Sequence, residues 1–281
     1  MDKDPVIESI KKANSVKSDI STARMAMSCM DYASLNGEET VDQIQLLCQN
    51  AITEKVGGVC VYSPHVRMVS DYLKETDIAI ATVINFPLGD KTNEGDIATY
   101  DNTYDAVCNA ITDGATEIDI VIDYNDFTEE NAKELLRACR KACDEGNAKM
   151  KVILEVENGN PAADLPTRCE LAINEGADMI KTSTGKYPEA MTDHEKMECA
   201  VIMMSAIKQS HRDVGLKISG GVNDTNYAPY LALVESEMGS DFMTPQTFRF
   251  GASGLYNDLH LALEIKGATI GHVVKHGTLG Y

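Results

Sequence analysis

Glu117-Ile118-Asp119-Ile120-Val121-Ile122-Asp123 is an aliphatic run interrupted only by acids, and its surroundings decide the fold. From Thr128 onward Ala132, Leu135, Leu136 and Cys139 recur at helical spacing until Gly146, and a second aliphatic run, Lys151 to Val156, follows. Near-continuous aliphatic strands separated by an amphipathic helix describe parallel strands covered on both faces. Working outward, the same alternation repeats. Further strand candidates are Arg24–Cys29, Gly58–Tyr62, Ile78–Ile84, Met179–Thr182, Val214–Ile218 and Phe248–Ala252. Thr40-Val41-Asp42-Gln43 and Thr192-Asp193-His194-Glu195 have capping-box spacing ahead of apolar helical stripes. Gly114 and Gly176 fall where helices want a left-handed cap. Asp4 to Ile20 has helical spacing (Val6, Ile7, Ile10, Ala13) before the first strand. Eight strand–helix repeats predict one (β/α)8 barrel, a TIM barrel, over residues 1–281 with an extra N-terminal helix. An open doubly wound sheet is the alternative, but no G-x-G-x-x-G follows an early strand.

Two lysines occupy equivalent places in this repeat. Lys181 ends Ala177-Asp178-Met179-Ile180 and leads into Thr182-Ser183-Thr184-Gly185-Lys186; Lys217 ends Val214-Gly215-Leu216 and leads into Ile218-Ser219-Gly220-Gly221-Val222. Lysine is rarely buried without a reason, and barrel chemistry gathers at the C-terminal strand ends. Alternation puts Glu117, Asp119, Val121 and Asp123 on one face of their strand, toward either the barrel interior or the helix layer. Two amines and an acid suit imine formation. An imine-forming lysine needs a pKa lower by about 3, roughly 4 kcal/mol. Burial supplies part of that. A second ammonium ~6 Å away supplies on the order of 2–3 kcal/mol at an effective dielectric of ~20. The spacing leaves open which lysine attacks. It also fits two lysines that bind a phosphate or pair with acids inside the barrel.

Composition bounds the partners. The 281 residues carry a formal net charge of -19, which repels nucleic acid and requires a local positive pocket for any anionic substrate. No run approaches the ~20 apolar residues of a membrane span, and Met1-Asp2-Lys3-Asp4-Pro5 lacks the apolar core of a signal peptide. The eight cysteines form no CxxC pair and read as core-lining thiols, Cys139 and Cys143 sharing a helix face; the cytoplasm is the expected compartment. The six histidines show no metal-binding spacing, and imine chemistry needs no metal or other cofactor.

At these residues the chain resembles the deoxyribose-phosphate aldolases, class I aldolases on a TIM barrel. The resemblance rests on Met30-Asp31-Tyr32, Val59-Cys60-Val61-Tyr62, Ala81 to Pro87, Glu117 to Val121, Ile180 to Lys186, Lys217 to Gly221 and Arg249 to Ser253. It implies that Lys181 is the Schiff-base lysine, Lys217 the lysine that perturbs it and Asp119 the proton-relay acid. The implied substrate is 2-deoxy-D-ribose 5-phosphate, cleaved to glyceraldehyde 3-phosphate and acetaldehyde. Homodimers are common among relatives. A phosphate end would be built from the glycine-rich loops after the last strands, Gly220, Gly221, Gly251 and Ser253, joined by Gly185 and Lys186. The chain departs from the family at Asn223, where a basic residue is frequent, and at Gly254, where a second serine is frequent; both changes predict a looser preference for the phosphorylated sugar. The C-terminal Tyr281 matches a tyrosine that assists proton transfer in some members. Cys60 reads as packing and Asp31 as a residue that shapes the site. Rival readings are another imine-forming phosphosugar aldolase or transaldolase, and a barrel that binds sugar phosphate without turning it over.

Overall fold

In the computed structural model, residues 3–89, 102–124, 127–157, 164–187 and 191–268 are described. Eight parallel strands close into a barrel in sequence order: β1 Met30–Ser34, β2 Gly58–Val61, β3 Ala79–Ile84, β4 Glu117–Val121, β5 Lys149–Ile153, β6 Met179–Lys181, β7 Gly215–Ser219 and β8 Phe248–Ala252. Between them run α3 Val41–Glu54, α4 Val66–Leu73, α5 Thr103–Thr112, α6 Glu129–Gly146, α7 Leu165–Asn174, α8 Asp193–Ser210 and α9 Tyr227–Met238, and α10 Leu255–Ala268 follows β8.

Two helices, not one, precede the barrel: α1 Lys3–Asn14 and α2 Ile20–Ser28. The expected strand Arg24–Cys29 is therefore helical, and β1 begins at Met30. The reason is local. Asp19 caps the helix, its carboxylate accepting from the Thr22 amide at 2.8 Å while its own amide donates to the Thr22 hydroxyl at 2.8 Å. That reciprocal pair fixes the first turn, and Ala23, Ala26 and Met27 are then buried on one face. The capping boxes at Thr40 and Thr192 form as their spacing predicts. Thr128 caps α6, which runs through Gly146 and ends on Asn147 in the left-handed region. Gly114 and Gly176 take φ of 111° and 92° just beyond α5 and α7.

Alternation along the strands sorts side chains into two compartments. Val59, Ile80, Ile118, Ile120, Val152, Ile180, Leu216 and Ile218 face the helices and form the main core. Cys60, Ala81, Val83, Val121 and Ile153 face inward and, with Phe86 and Tyr124, make a smaller apolar cluster in the barrel. The charged side chains of the site share that interior.

Candidate active site

Six strands place charged side chains in the barrel: Asp31 from β1, Glu117 and Asp119 from β4, Lys151 from β5, Lys181 from β6, Lys217 from β7 and Arg249 from β8, all buried. Strand register sets the neighbours, since Lys181 pairs with Lys217 across β6–β7, Asp119 with Lys151 across β4–β5, and Lys217 with Arg249 across β7–β8. Lys151 Nζ contacts Asp31 Oδ2 at 2.9 Å, Glu117 Oε2 at 2.7 Å and Asp119 Oδ1 at 2.8 Å. Lys217 contacts Asp119 Oδ2 at 2.8 Å and makes a close ion pair with Asp31. Arg249 pairs closely with Asp31 and reaches Glu117 Oε1 at 3.3 Å. Lys181 donates to Asp119 Oδ2 at 2.9 Å, the oxygen that Lys217 also uses.

Four cations thus meet three carboxylates, and their sharing is unequal. Lys151, Lys217 and Arg249 each touch at least two carboxylates, whereas Lys181, among the described residues, has a share of Asp119 alone. Burial favours the neutral form of every lysine here. For Lys217, the pull of Asp119 and Asp31 outweighs burial and holds the amine above its ordinary value; for Lys151, Asp119, Asp31 and Glu117 hold it well above. At Lys181 burial wins. The Lys217 charge works in the same direction, Asp119 only partly opposes it, and the pKa is lowered. The geometry thereby separates two lysines that spacing left equivalent. Asp119 and Asp31 lose solvation on burial, yet the surrounding cations keep both carboxyls well below the ordinary value.

Lys151, Glu117 and Arg249 belong to the cluster but are not singled out by the sequence, and Asp31, expected to shape the site, pairs with Lys151, Lys217 and Arg249. The signal was present: Lys151 breaks an aliphatic strand as Lys181 and Lys217 do, and Arg249 stands between Phe248 and Phe250. Cys60 lies beside the cluster, and burial, reinforced by Asp119, pushes its thiol up to about 11, in keeping with packing.

The residues expected at a phosphate end are only partly brought together. The turns after β6 and β7 meet, for a Cβ placed on Gly185 would lie 3.9 Å from Gly220 Cα. The two ends are laced by Thr182, whose hydroxyl accepts from the Ser219 amide at 2.9 Å, and the Thr184 amide donates to Glu155 at 2.9 Å. Lys186 turns instead across the barrel mouth, donating to the Leu35 carbonyl at 2.7 Å. Gly251 makes room for an amine: a Cβ there would come within 2.9 Å of Lys217 Cε and of Ser219 Cβ. Ser253 lines a cleft of about 410 Å³ with Tyr32, Ser34, Asn36 and Gln43. Tyr281 lies outside the described residues. Among those described, no three His, Cys, Asp or Glu side chains group as a metal site, and no helix is long and apolar enough to cross a membrane.

Comparison with known proteins gives a consistent outcome. Residues 25–242 match the family described as DeoC/LacD family aldolase. The chain is 40% identical over 244 residues to a deoxyribose-phosphate aldolase of Agrobacterium fabrum, an alignment covering 84% of this chain and 90% of the relative. A structure from Toxoplasma gondii ME49 assigned to the deoxyribose-phosphate aldolases superposes with a TM-score of 0.77 at 22% identity, covering 90% of this chain and 97% of that one. The tetrameric deoxyribose phosphate aldolase from Aeropyrum pernix gives 0.69 at 20% identity, covering 93% and 98%. The two structural likenesses establish the fold.

Proposed function

The chain belongs to the DeoC/LacD aldolase family, and from that premise we propose that it reversibly cleaves 2-deoxy-D-ribose 5-phosphate to D-glyceraldehyde 3-phosphate and acetaldehyde, with Lys181 as the Schiff-base nucleophile. The observation that carries this reading is the unequal pairing in the barrel. Of the four clustered cations, Lys181 has the fewest carboxylate contacts and the lowered pKa, and only the neutral amine attacks a carbonyl.

The Lys181 amine adds to the C1 aldehyde, and loss of water leaves a protonated imine. The C2–C3 bond then breaks. Its electron pair forms the C1–C2 double bond of an enamine and neutralises the iminium nitrogen. The C3 hydroxyl loses its proton and becomes the aldehyde of glyceraldehyde 3-phosphate. A proton added at C2 restores the imine, and water releases acetaldehyde and free Lys181. Asp119, hydrogen-bonded to the Lys181 nitrogen, relays protons directly or through a water. Lys217 keeps its charge and penalises a charged Lys181 beside it.

The phosphate end lies at the meeting turns of Gly185 and Gly220–Gly221, with Ser253 and the start of α10, since exposed amides and a helix N-terminus favour an anion; Lys186 joins it only by releasing the Leu35 carbonyl. Gly251 contributes by clearing space for Lys217. Asn223 brings no charge to this end, which supports a looser preference for the phosphorylated sugar. Tyr281 assists enamine protonation by the family resemblance alone.

Borohydride reduction in the presence of 2-deoxy-D-ribose 5-phosphate, followed by peptide mapping, tests the reading. A reduced two- or five-carbon adduct on Lys181 is expected. Binding without an adduct points to a non-catalytic barrel. A ketose donor trapped in place of acetaldehyde points to a transaldolase-like enzyme.

A further inference from the structure

A second group of buried charges, unused by the aldol steps, lies against the turn after β7. Lys196, in the first turns of α8, makes a close ion pair with Glu157, which follows β5, and both side chains are buried. Lys196 Nζ also lies 3.4 Å from the Gly220 carbonyl. The Glu157 carboxylate fills the space a Cβ would take on Gly220, whose φ is +90°. The next carbonyl is held as well: Gly221 O accepts from Asn223 Nδ2 at 3.0 Å and from Asn226 Nδ2 at 2.9 Å, and Asn226 is tied to Asp193 at the start of α8 at 3.3 Å.

Holding a carbonyl also aims an amide. In a trans peptide the C=O and the following N–H point in opposite directions. Fixing the Gly220 and Gly221 carbonyls therefore turns the Gly221 and Val222 N–H groups to the other side of the turn. Among the described residues neither N–H donates a backbone hydrogen bond. Two adjacent amides without such a bond form a ready anion cradle. A buried ion pair is weak evidence for stability, because an apolar pair of similar volume commonly does as well.

We propose that Lys196 and Glu157 are positioning residues that set discrimination between a phosphorylated and an uncharged sugar, by aiming the Gly221 and Val222 amides and balancing the charge behind them. This rests on the phosphate end proposed above. The two charges act in opposite senses: the ammonium favours an anion at the turn, and the carboxylate opposes it.

The test compares kcat/KM for 2-deoxy-D-ribose 5-phosphate and for 2-deoxy-D-ribose in the full chain and in Lys196→Met, Lys196→Arg and Glu157→Gln. Lys196→Met should lower the ester-to-sugar ratio about tenfold, mainly through KM for the ester, and Lys196→Arg should restore it. Glu157→Gln should raise the ratio about threefold or more. A purely structural pair would move both single variants in the same direction, and that result, or ratios unchanged within twofold, overturns the proposal. If Lys196→Met fails to fold, Glu157→Gln decides alone: a rise supports the proposal and a fall or no change overturns it. A wild-type chain that turns over neither sugar and forms no Lys181 adduct removes the functional reading and this inference with it. Turnover with an unmoved ratio removes this inference only.

Discussion

Lys181 and Lys217 hydrogen-bond to the same oxygen of Asp119, at 2.9 and 2.8 Å, from neighbouring strands in register. One carboxylate oxygen therefore serves two ammonium groups. Lys217 also has Asp31; Lys181 has no second carboxylate within ion-pair distance among the described residues. Burial with only a shared carboxylate oxygen lowers the Lys181 pKa, whereas the added pull of Asp31 raises that of Lys217.

The pH dependence follows. If Lys181 is the nucleophile proposed above, it acts when neutral, and its pKa is below the ordinary 10.5, so kcat/KM should rise with pH as Lys181 deprotonates and level off short of 10.5. Lys217→Met removes the like charge. The acid limb should move to higher pH, and kcat/KM at pH 7 should fall about 10- to 100-fold. A pH–rate profile for the two proteins checks this; an unmoved limb rejects it.

Gly251 and Gly254 give a matched pair. A Cβ on Gly251 would press on Lys217 Cε and Ser219 Cβ, each at 2.9 Å, whereas one on Gly254 would meet nothing within 4 Å. Gly251→Ala should lower kcat about 100-fold by displacing Lys217, given that an ångström of misplacement costs on that order. Gly254→Ala should leave kcat within about threefold. Equal effects would refute the role given to Gly251.

Lys151 contacts all three carboxylates of the cluster, Asp31, Glu117 and Asp119. Lys151→Met leaves them short of a cation, which costs about 3–5 kcal/mol. In a chain of this length that lowers Tm by roughly 10 °C. Calorimetry checks it; a Tm within about 2 °C of wild type would mean the cluster relaxes around the loss.

Acid should destabilise the fold. Asp31 and Asp119 have folded pKa values below the ordinary 3.8, so the unfolded chain takes up their protons first as pH falls. Their contribution is complete above about 3.8 and is lost as pH drops toward the folded values. The lowered Lys181 acts in the same sense at high pH: between its folded value and 10.5 the unfolded chain holds the extra proton, and stability rises with pH across that window. Urea midpoints should decline steeply below about pH 4; constancy down to pH 2 would contradict the ion-pair assignment.

Much of this was legible in the sequence because periodicity is local. Aliphatic strands, capping boxes and glycine stops placed all but the first strand to within three residues at either end, the widest miss being the end of β5, and buried lysines marked two members of the cluster. The first strand was misplaced because Arg24 to Cys29 is apolar enough for either structure, and the Asp19–Thr22 box that makes it helical lies before it. The rest of the cluster was harder to read. Asp31, Lys151 and Arg249 meet only when distant strands close the ring, and no local pattern encodes how many carboxylates each cation will touch. Lys196 was hidden for a similar reason: in sequence it is one more charge on an amphipathic helix, and its burial against Glu157 depends on how α8 packs.

The Lys181 amine draws its charged neighbours from five other staves of one cask. No fragment of the chain, and no half-assembled form, contains the set. Until the last stave is in place nothing lowers the Lys181 pKa, and the amine is expected to hold its proton at neutral pH as a free lysine does. On the proposed role of Lys181, fast imine formation is therefore a readout of barrel closure.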